Sequence, residues 1–176
     1  TLSRAGRHTV YPAQFQLLVA TNPCPCGNFG SKEKICVCSG KSIDQYWKKF
    51  SAPLLDRIDL RVFVDSVSYQ ELSDNETGET SKEVKARVNR TRLIQKERFK
   101  NDNILTNSDM GEKHIKKYCK LSGECEKILK NAYESLNLSP RARSRIIKVA
   151  RTIADMSLYD EIRPEHIMEA ISYRHN

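Results

Sequence analysis

Phe15-Gln16-Leu17-Leu18-Val19-Ala20-Thr21-Asn22-Pro23-Cys24-Pro25-Cys26-Gly27 joins a short, nearly continuous apolar run to a loop of proline, glycine and cysteine. Such a run bounded by turn residues is the pattern of a strand buried on both faces, so a strand is predicted over 15–20. Working back towards residue 1, Ala5-Gly6 between Arg4 and Arg7 reads as the tip of a hairpin. Working forward, Thr21 to Gly40 is a loop with no core of its own, and Tyr46, Trp47 and Phe50 mark a short helix or turn. Ile58, Leu60, Val62 and Val64 then alternate with Asp59, Arg61 and Phe63, which predicts a second strand. A buried strand so close to the first residue suggests a piece of a longer protein, with further motifs upstream.

Composition shifts to Ser, Asp, Asn, Glu, Thr and Gly across 73–80, which is read as a linker between 1–72 and an all-helical part over 81–176. Thr80 with Glu83 has the spacing of a capping box, opening a helix to about Lys100. A second helix is expected from Gly111 to Cys119. Cys125, Ile128, Leu129, Ala132, Tyr133 and Leu136 follow the helical period. Ser139-Pro140 supplies an N-cap and a first-turn proline for the next helix, and Arg163-Pro164 starts the last. The fold class expected is therefore α/β: a few strands, then a helical bundle.

The 176 residues carry 39% hydrophobic and 30% charged side chains, a globular composition. No stretch approaches the run of roughly 20 apolar residues that a bilayer span needs. Nor do residues 1–11 have the basic-then-apolar order of a secretion signal. The formal charge of +8 favours polyanionic partners, nucleic acid among them. Two basic runs contribute most. Lys82 to Lys100 holds eight cations against two acids, and Arg141 to Arg151 holds five cations and no acid. A solvated helix face is the ordinary reading of such runs; contact with DNA phosphates is the functional one.

Cys24, Cys26, Cys36 and Cys38 form two pairs, each with a one-residue gap, separated by nine residues. Two close pairs on one loop can place four thiolates tetrahedrally around Zn2+, closing the coordination shell so that the ion is structural. Clustered cysteines without a secretion signal read as metal ligands in the cytoplasm rather than as a disulfide framework. Cys119 and Cys125 lie in helical sequence and are read as core thiols.

Two further residues suit nucleotide chemistry. A side-chain amide at Asn22, just past a strand, can orient a water beside a phosphate, although Asn-Pro also simply begins turns. Arg57, in Leu54-Leu55-Asp56-Arg57-Ile58-Asp59 and taken to open a strand, could present a bidentate guanidinium to a transferring phosphoryl group. A surface Asp-Arg pair worth roughly 0–1 kcal/mol is the plainer alternative.

Asn22-Pro23-Cys24-Pro25-Cys26-Gly27 and Leu54-Leu55-Asp56-Arg57-Ile58-Asp59 resemble the ComM-like branch of the Mg-chelatase-type AAA+ ATPases. Ser139-Pro140-Arg141 and Ala150-Arg151-Thr152-Ile153-Ala154-Asp155 follow in the same order, so the resemblance covers essentially the whole chain. Magnesium chelatase motor subunits share the Leu-Leu-Asp-Arg element but lack the paired cysteines, which favours the ComM-like branch.

The resemblance implies the C-terminal part of an AAA+ core with an inserted zinc loop, followed by a helical lid. It implies that Asn22 is the sensor 1 residue and Arg57 an arginine finger reaching a neighbour's ATP. Arg141 would be sensor 2, with Arg143 and Arg145 as close competitors. Arg4 and Arg7 would sit on a pore hairpin that meets DNA. The whole protein would be a hexameric, DNA-stimulated ATPase using ATP and Mg2+, a helicase or branch-migration motor. A protein-remodelling subunit and a free-standing zinc-dependent nucleic-acid-binding module are the alternatives. The chain itself has no Gly-x-x-x-x-Gly-Lys-[Ser/Thr] loop and no apolar strand ending in Asp-Glu, so no ATP hydrolysis is expected from it alone.

Overall fold

The computed structural model describes residues 1–13, 15–65, 67, 78–136 and 138–175. The chain divides into two compact units, Thr1–Lys49 and Phe50–Asn176.

The first unit opens with a two-stranded antiparallel ribbon, β1 (Leu2–Arg4) and β2 (Arg7–Thr9), in the register Leu2↔Thr9, Ser3↔His8, Arg4↔Arg7. Ala5 and Gly6 form its two-residue turn with φ of 47° and 75°. Positive φ at both central positions matches the right-handed twist of the strands, which makes this the tight hairpin the sequence predicts. After the cysteine loop comes α1 (Gly40–Trp47), whose N-cap Ser39 accepts from the Ser42 N–H.

The second unit is helical. It comprises α2 (Ala52–Arg57), α3 (Ser81–Arg98), a 3-10 turn at Asn107–Asp109, α4 (Glu112–Tyr118), α5 (Gly123–Ser135), α6 (Pro140–Met156) and α7 (Pro164–His175). Local chemistry sets their starts. Thr80 and Glu83 form a reciprocal capping box at α3. Ser122 caps α5, and Ser139 caps α6 ahead of its first-turn Pro140. The core gathers Phe99, Met110, Ile115, Leu129, Ile146, Ile147 and Ile167, with Cys119 and Cys125 buried among them. Burial pushes the Cys119 thiol up to about 11, so it stays a protonated packing group.

At the heart of this unit lies a polar network. Asp155, 1% exposed, accepts from Arg151 Nε at 3.1 Å, from Asn107 Nδ2 at 2.8 Å and from both terminal nitrogens of Arg98. Arg151, 2% exposed, also donates to the backbone carbonyls of Tyr159 and Asp160. Asn107 closes the ring by donating to Thr152 Oγ1 and accepting from Arg98. The Ala150–Asp155 motif is thus a buried ionic staple joining α3, α6 and the 3-10 turn.

The structure differs from the sequence reading at both expected core strands. Neither 15–20 nor 58–64 is a strand among the described residues, where the only sheet is the β1–β2 ribbon, so the unit pair is mostly helical. Phe15 is 76% exposed and Leu18 85%; Val62 and Val64 are likewise open. A strand needs a neighbouring strand to receive its ladder of backbone hydrogen bonds, and neither segment has one among the described residues; 58–64 makes instead isolated contacts, such as Arg61 N–H to the Tyr173 carbonyl at 2.8 Å. Arg57 therefore does not open a strand: it ends the short helix α2. The linker read at 73–80 lies mostly outside the described residues; its last three, 78–80, lead directly into the α3 cap.

Candidate functional site

In the first unit the four loop cysteines converge. Their sulfurs all lie within 4.8 Å of one another, with Cys24–Cys26 at 3.4 Å and Cys36 3.7 Å from each of those two. An ion bound tetrahedrally by thiolates at about 2.3 Å has sulfur–sulfur edges of about 3.8 Å. These three separations fall within a few tenths of an ångström of that edge, so the cluster has the dimensions of a metal site.

The loop is built for this convergence. Gly27 and Gly30 take φ of 82° and 81°, which returns the chain over the first pair, and Gly27 N–H closes a turn on the Cys24 carbonyl at 3.0 Å. From α1, Trp47 Nε1 donates to the Pro23 carbonyl at 3.0 Å, and Tyr46 Oη lies 2.8 Å from Thr21 Oγ1. The helix thereby holds the root of the loop.

The thiols titrate unequally. Backbone N–H groups of Asn28 and Val37 hold Cys26 down to about 6. At Cys38 the Cys26 backbone N–H pulls the same way, yet burial and the neighbouring sulfurs push it up to about 12. Four sulfurs packed this closely cannot all carry negative charge unaided, and a divalent cation at their centre removes that conflict.

Asn22 is exposed at the edge of this loop. A Cβ placed on Gly27 would lie 3.8 Å from the Asn22 amide, so the side chain rests on the cysteine turn. Arg4 and Arg7 face each other across the last ribbon pair, both exposed.

In the second unit Arg57 is exposed at the end of α2, its Nη1 donating back to the Pro53 carbonyl at 2.7 Å. Its neighbours are held firmly. Asp56 does not pair with Arg57; its carboxylate accepts from Arg174 at 2.9 Å and from Ser139 Oγ at 3.2 Å. Arg174, whose side chain is 4% exposed, also donates to the backbone carbonyls of Asp56 and Ile58, each at 3.2 Å. Burial pulls its guanidinium down from the usual arginine range, and Asp56 opposes that pull. Arg145 donates to Asp59 at 2.9 Å and to the Arg57 carbonyl. The segment carrying Arg57 is thus gripped on both sides by α6 and α7, while the Arg57 side chain stays exposed, folded back on the Pro53 carbonyl. Sequence patterns could not reveal Arg174 or Arg145 as partners, since their acceptors lie 118 and 86 residues away.

Arg141 stands exposed on the first turn of α6, with no ion pair among the described residues. Of its two competitors, Arg143 pairs with Glu126 at 2.9 Å and Arg145 with Asp59, so both are engaged within the unit. No described helix is long and apolar enough to cross a membrane.

Residues 1–72 match the family described as magnesium chelatase, subunit ChlI, and residues 78–174 match its C-terminal family. The chain is 38% identical over 175 residues to the competence protein ComM of Haemophilus influenzae, covering 98% of this chain and 33% of that protein. It is 38% identical over 174 residues to the YifB protein of Escherichia coli, with the same coverage, and 37% identical to that of Salmonella typhimurium. The chain therefore spans about a third of the length of the curated relatives it matches. Two family matches in tandem, with 38% identity to ComM over nearly the whole chain, lead to one assignment: the chain is a ComM-like member of the magnesium chelatase-related family.

Proposed function

We propose that this chain is the C-terminal part of the motor of a ring-forming AAA+ ATPase that works on DNA. The activity is that of a helicase or branch-migration motor in recombination or natural transformation, located in the cytoplasm. One observation carries the reading: an exposed guanidinium at Arg57, on a segment whose flanking residues are fixed by α6 and α7. That arrangement lets the side chain swing from the Pro53 carbonyl to a phosphoryl group on a neighbouring subunit while its backbone stays in place. The Haemophilus relative's name, a competence protein, supports DNA as the substrate.

In this reading Arg57 is the arginine finger, Asn22 positions the attacking water and Arg141 contacts nucleotide from the helical lid. ATP and Mg2+ are bound mainly by sequence outside this chain, which lacks both the phosphate loop and the acidic strand end. Segments 15–20 and 58–64 complete the α/β sheet by pairing with that sequence. Arg4 and Arg7, at the hairpin tip, meet DNA in the pore of a hexamer. Cys24, Cys26, Cys36 and Cys38 hold one structural Zn2+, which stiffens a loop that has almost no apolar core.

The test is Arg57→Ala in the full-length protein. DNA-stimulated ATP hydrolysis should fall at least about 10³-fold with nucleotide affinity kept, the magnitude seen for fingers in other nucleotide hydrolases. Mixing this variant with subunits defective in their own phosphate loop should restore part of the rate, because each supplies what the other lacks. Full hydrolysis by the pure Arg57→Ala protein would overturn the reading.

A further inference from the structure

The two basic runs of the second unit are treated differently by its fold. In α6 the cations are mostly spent internally. Arg143 pairs with Glu126, Arg145 with Asp59 and Arg151 with Asp155, and Lys148 donates to the Ser108 carbonyl at 2.9 Å. In α3 the inward face is settled in the same way, by Thr91 and Gln95 in the core and by Arg98 on Asp155. Arg87 is neutralised by Glu79 at 2.9 Å. Lys82, Lys85, Arg90, Arg92 and Lys96 are left exposed, with no ion pair among the described residues.

Arg90 lies about a third of a turn away from the other four, which are not scattered. At 3.6 residues per turn they fall within about 80° of arc on the outer flank of α3, along a length of roughly 21 Å. The two acids of the helix lie off that flank and are otherwise engaged. Glu83 is held in the capping box, and Glu97 pairs with Lys100. At its middle the stripe borders a hollow of about 260 Å³ lined by Arg92 together with Val88, Thr106 and Ser108.

We propose that the outer flank of α3 is a docking surface for the phosphate backbone of duplex nucleic acid, contacted by Lys82, Lys85, Arg92 and Lys96. The inference rests on the nucleic-acid limb of the function proposed above, but it places a contact on a different element from Arg4 and Arg7. Charge complementarity selects the partner. Duplex DNA carries a charge every 1.7 Å or so of axis, which only a continuous unopposed row of cations can follow. The stripe holds no aromatic residue for base stacking, so the contact is with backbone and indifferent to sequence. A membrane surface is disfavoured, since the face of α3 opposite the cations is packed into the bundle rather than left open for lipid.

The magnitude follows from counterion release. Four phosphate contacts give a salt slope of about −3.6 in log K against log salt, or roughly 150-fold weaker binding between 50 and 200 mM. The experiment measures fluorescence anisotropy of a labelled duplex titrated with this chain across that range. The proteins are the wild type, Lys82→Gln/Lys85→Gln/Arg92→Gln/Lys96→Gln, and the equal-charge control Lys113→Gln/Lys116→Gln/Lys120→Gln/Lys127→Gln. All eight positions are exposed, and an unchanged melting curve establishes that the variants fold. The α3 variant should bind at least about 100-fold more weakly at 50 mM salt and lose most of the slope, while the control changes less than about tenfold. Equal losses in both variants would overturn the inference, since net charge alone would then explain binding. Retained binding in the α3 variant, with loss in Arg4→Gln/Arg7→Gln, would overturn it while leaving the proposed function standing. A wild-type chain that binds no duplex would remove both this surface and the hairpin contact.

Discussion

Replacing Asp155 with alanine should cost the helical unit most of its stability. Its carboxylate is 1% exposed and receives hydrogen bonds from Arg98, Arg151 and Asn107. Truncation leaves Arg151, itself 2% exposed, with only the carbonyls of Tyr159 and Asp160, and removes the one carboxylate that balances the Arg98 guanidinium, which keeps only Asn107. Removing one partner of a buried ion pair costs about 3–5 kcal/mol, because the remaining charge stays desolvated. Domains of this size are stable by only about 5–15 kcal/mol. With a urea dependence of about 1–3 kcal/mol per molar, a loss of 4 kcal/mol lowers the unfolding midpoint by roughly 2 M. Equilibrium urea unfolding followed by far-ultraviolet circular dichroism measures this directly. The triple replacement Arg98→Met/Arg151→Met/Asp155→Leu should recover much of the loss, since a whole ionic cluster can often be exchanged for apolar packing. A single Asp155→Ala protein within about 1 kcal/mol of wild type would refute the claim that this network holds the bundle together.

Two other outcomes follow from the geometry. Dialysed protein should carry one equivalent of Zn2+, lost in Cys36→Ser, and a strong chelator should shift the emission of Trp47, the chain's one tryptophan, whose indole is tied to Pro23 at the root of the cysteine loop. An unchanged emission spectrum with the metal gone would show that α1 does not brace the loop. Asp102 provides a pH test. The Tyr118 hydroxyl, then the Lys117 ammonium at 3.2 Å, hold its carboxyl below the usual carboxylate range. A folded-state value below the unfolded one, about 3.9, means that Asp102 stabilises the fold above that pH and ceases to as pH falls through the folded value. Asp102→Asn should therefore melt lower than wild type at neutral pH, with the gap closing in acid. A gap that does not narrow on acidification would contradict the assignment.

The helices of the second unit were legible because their signals are local. Thr80 with Glu83 and Ser139 with Pro140 set two of the helix starts, and an apolar face at helical spacing did the rest. The cysteine cluster was legible for a similar reason: two pairs nine residues apart on a glycine-bearing loop leave few ways to arrange the sulfurs. Segments 15–20 and 58–64 misled, because an apolar run records what a segment is suited to bury against, while strand structure needs a neighbour in place. Least legible was the setting of Arg57. Sequence suggested an adjacent aspartate as its companion, but Asp56 belongs to Arg174 and Ser139 and Asp59 to Arg145, pairings between distant elements that no short pattern encodes. The second basic run was equally opaque: five cations without an acid look unopposed in one dimension, and four of them are engaged in three.

The grip of Arg174 on Asp56 has a consequence for the order in which the molecule can be made. Their separation of 118 residues makes this one of the least local contacts in the chain. Contacts of that kind form late, because the loop they close must be ordered before they are rewarded. On a ribosome emitting about 5–20 residues per second, α2 emerges several seconds before the side chain that will fasten it. Until α7 has cleared the exit tunnel, the segment that carries Arg57 lacks its Arg174 tether, so the setting of Arg57 is completed only after α7 is made.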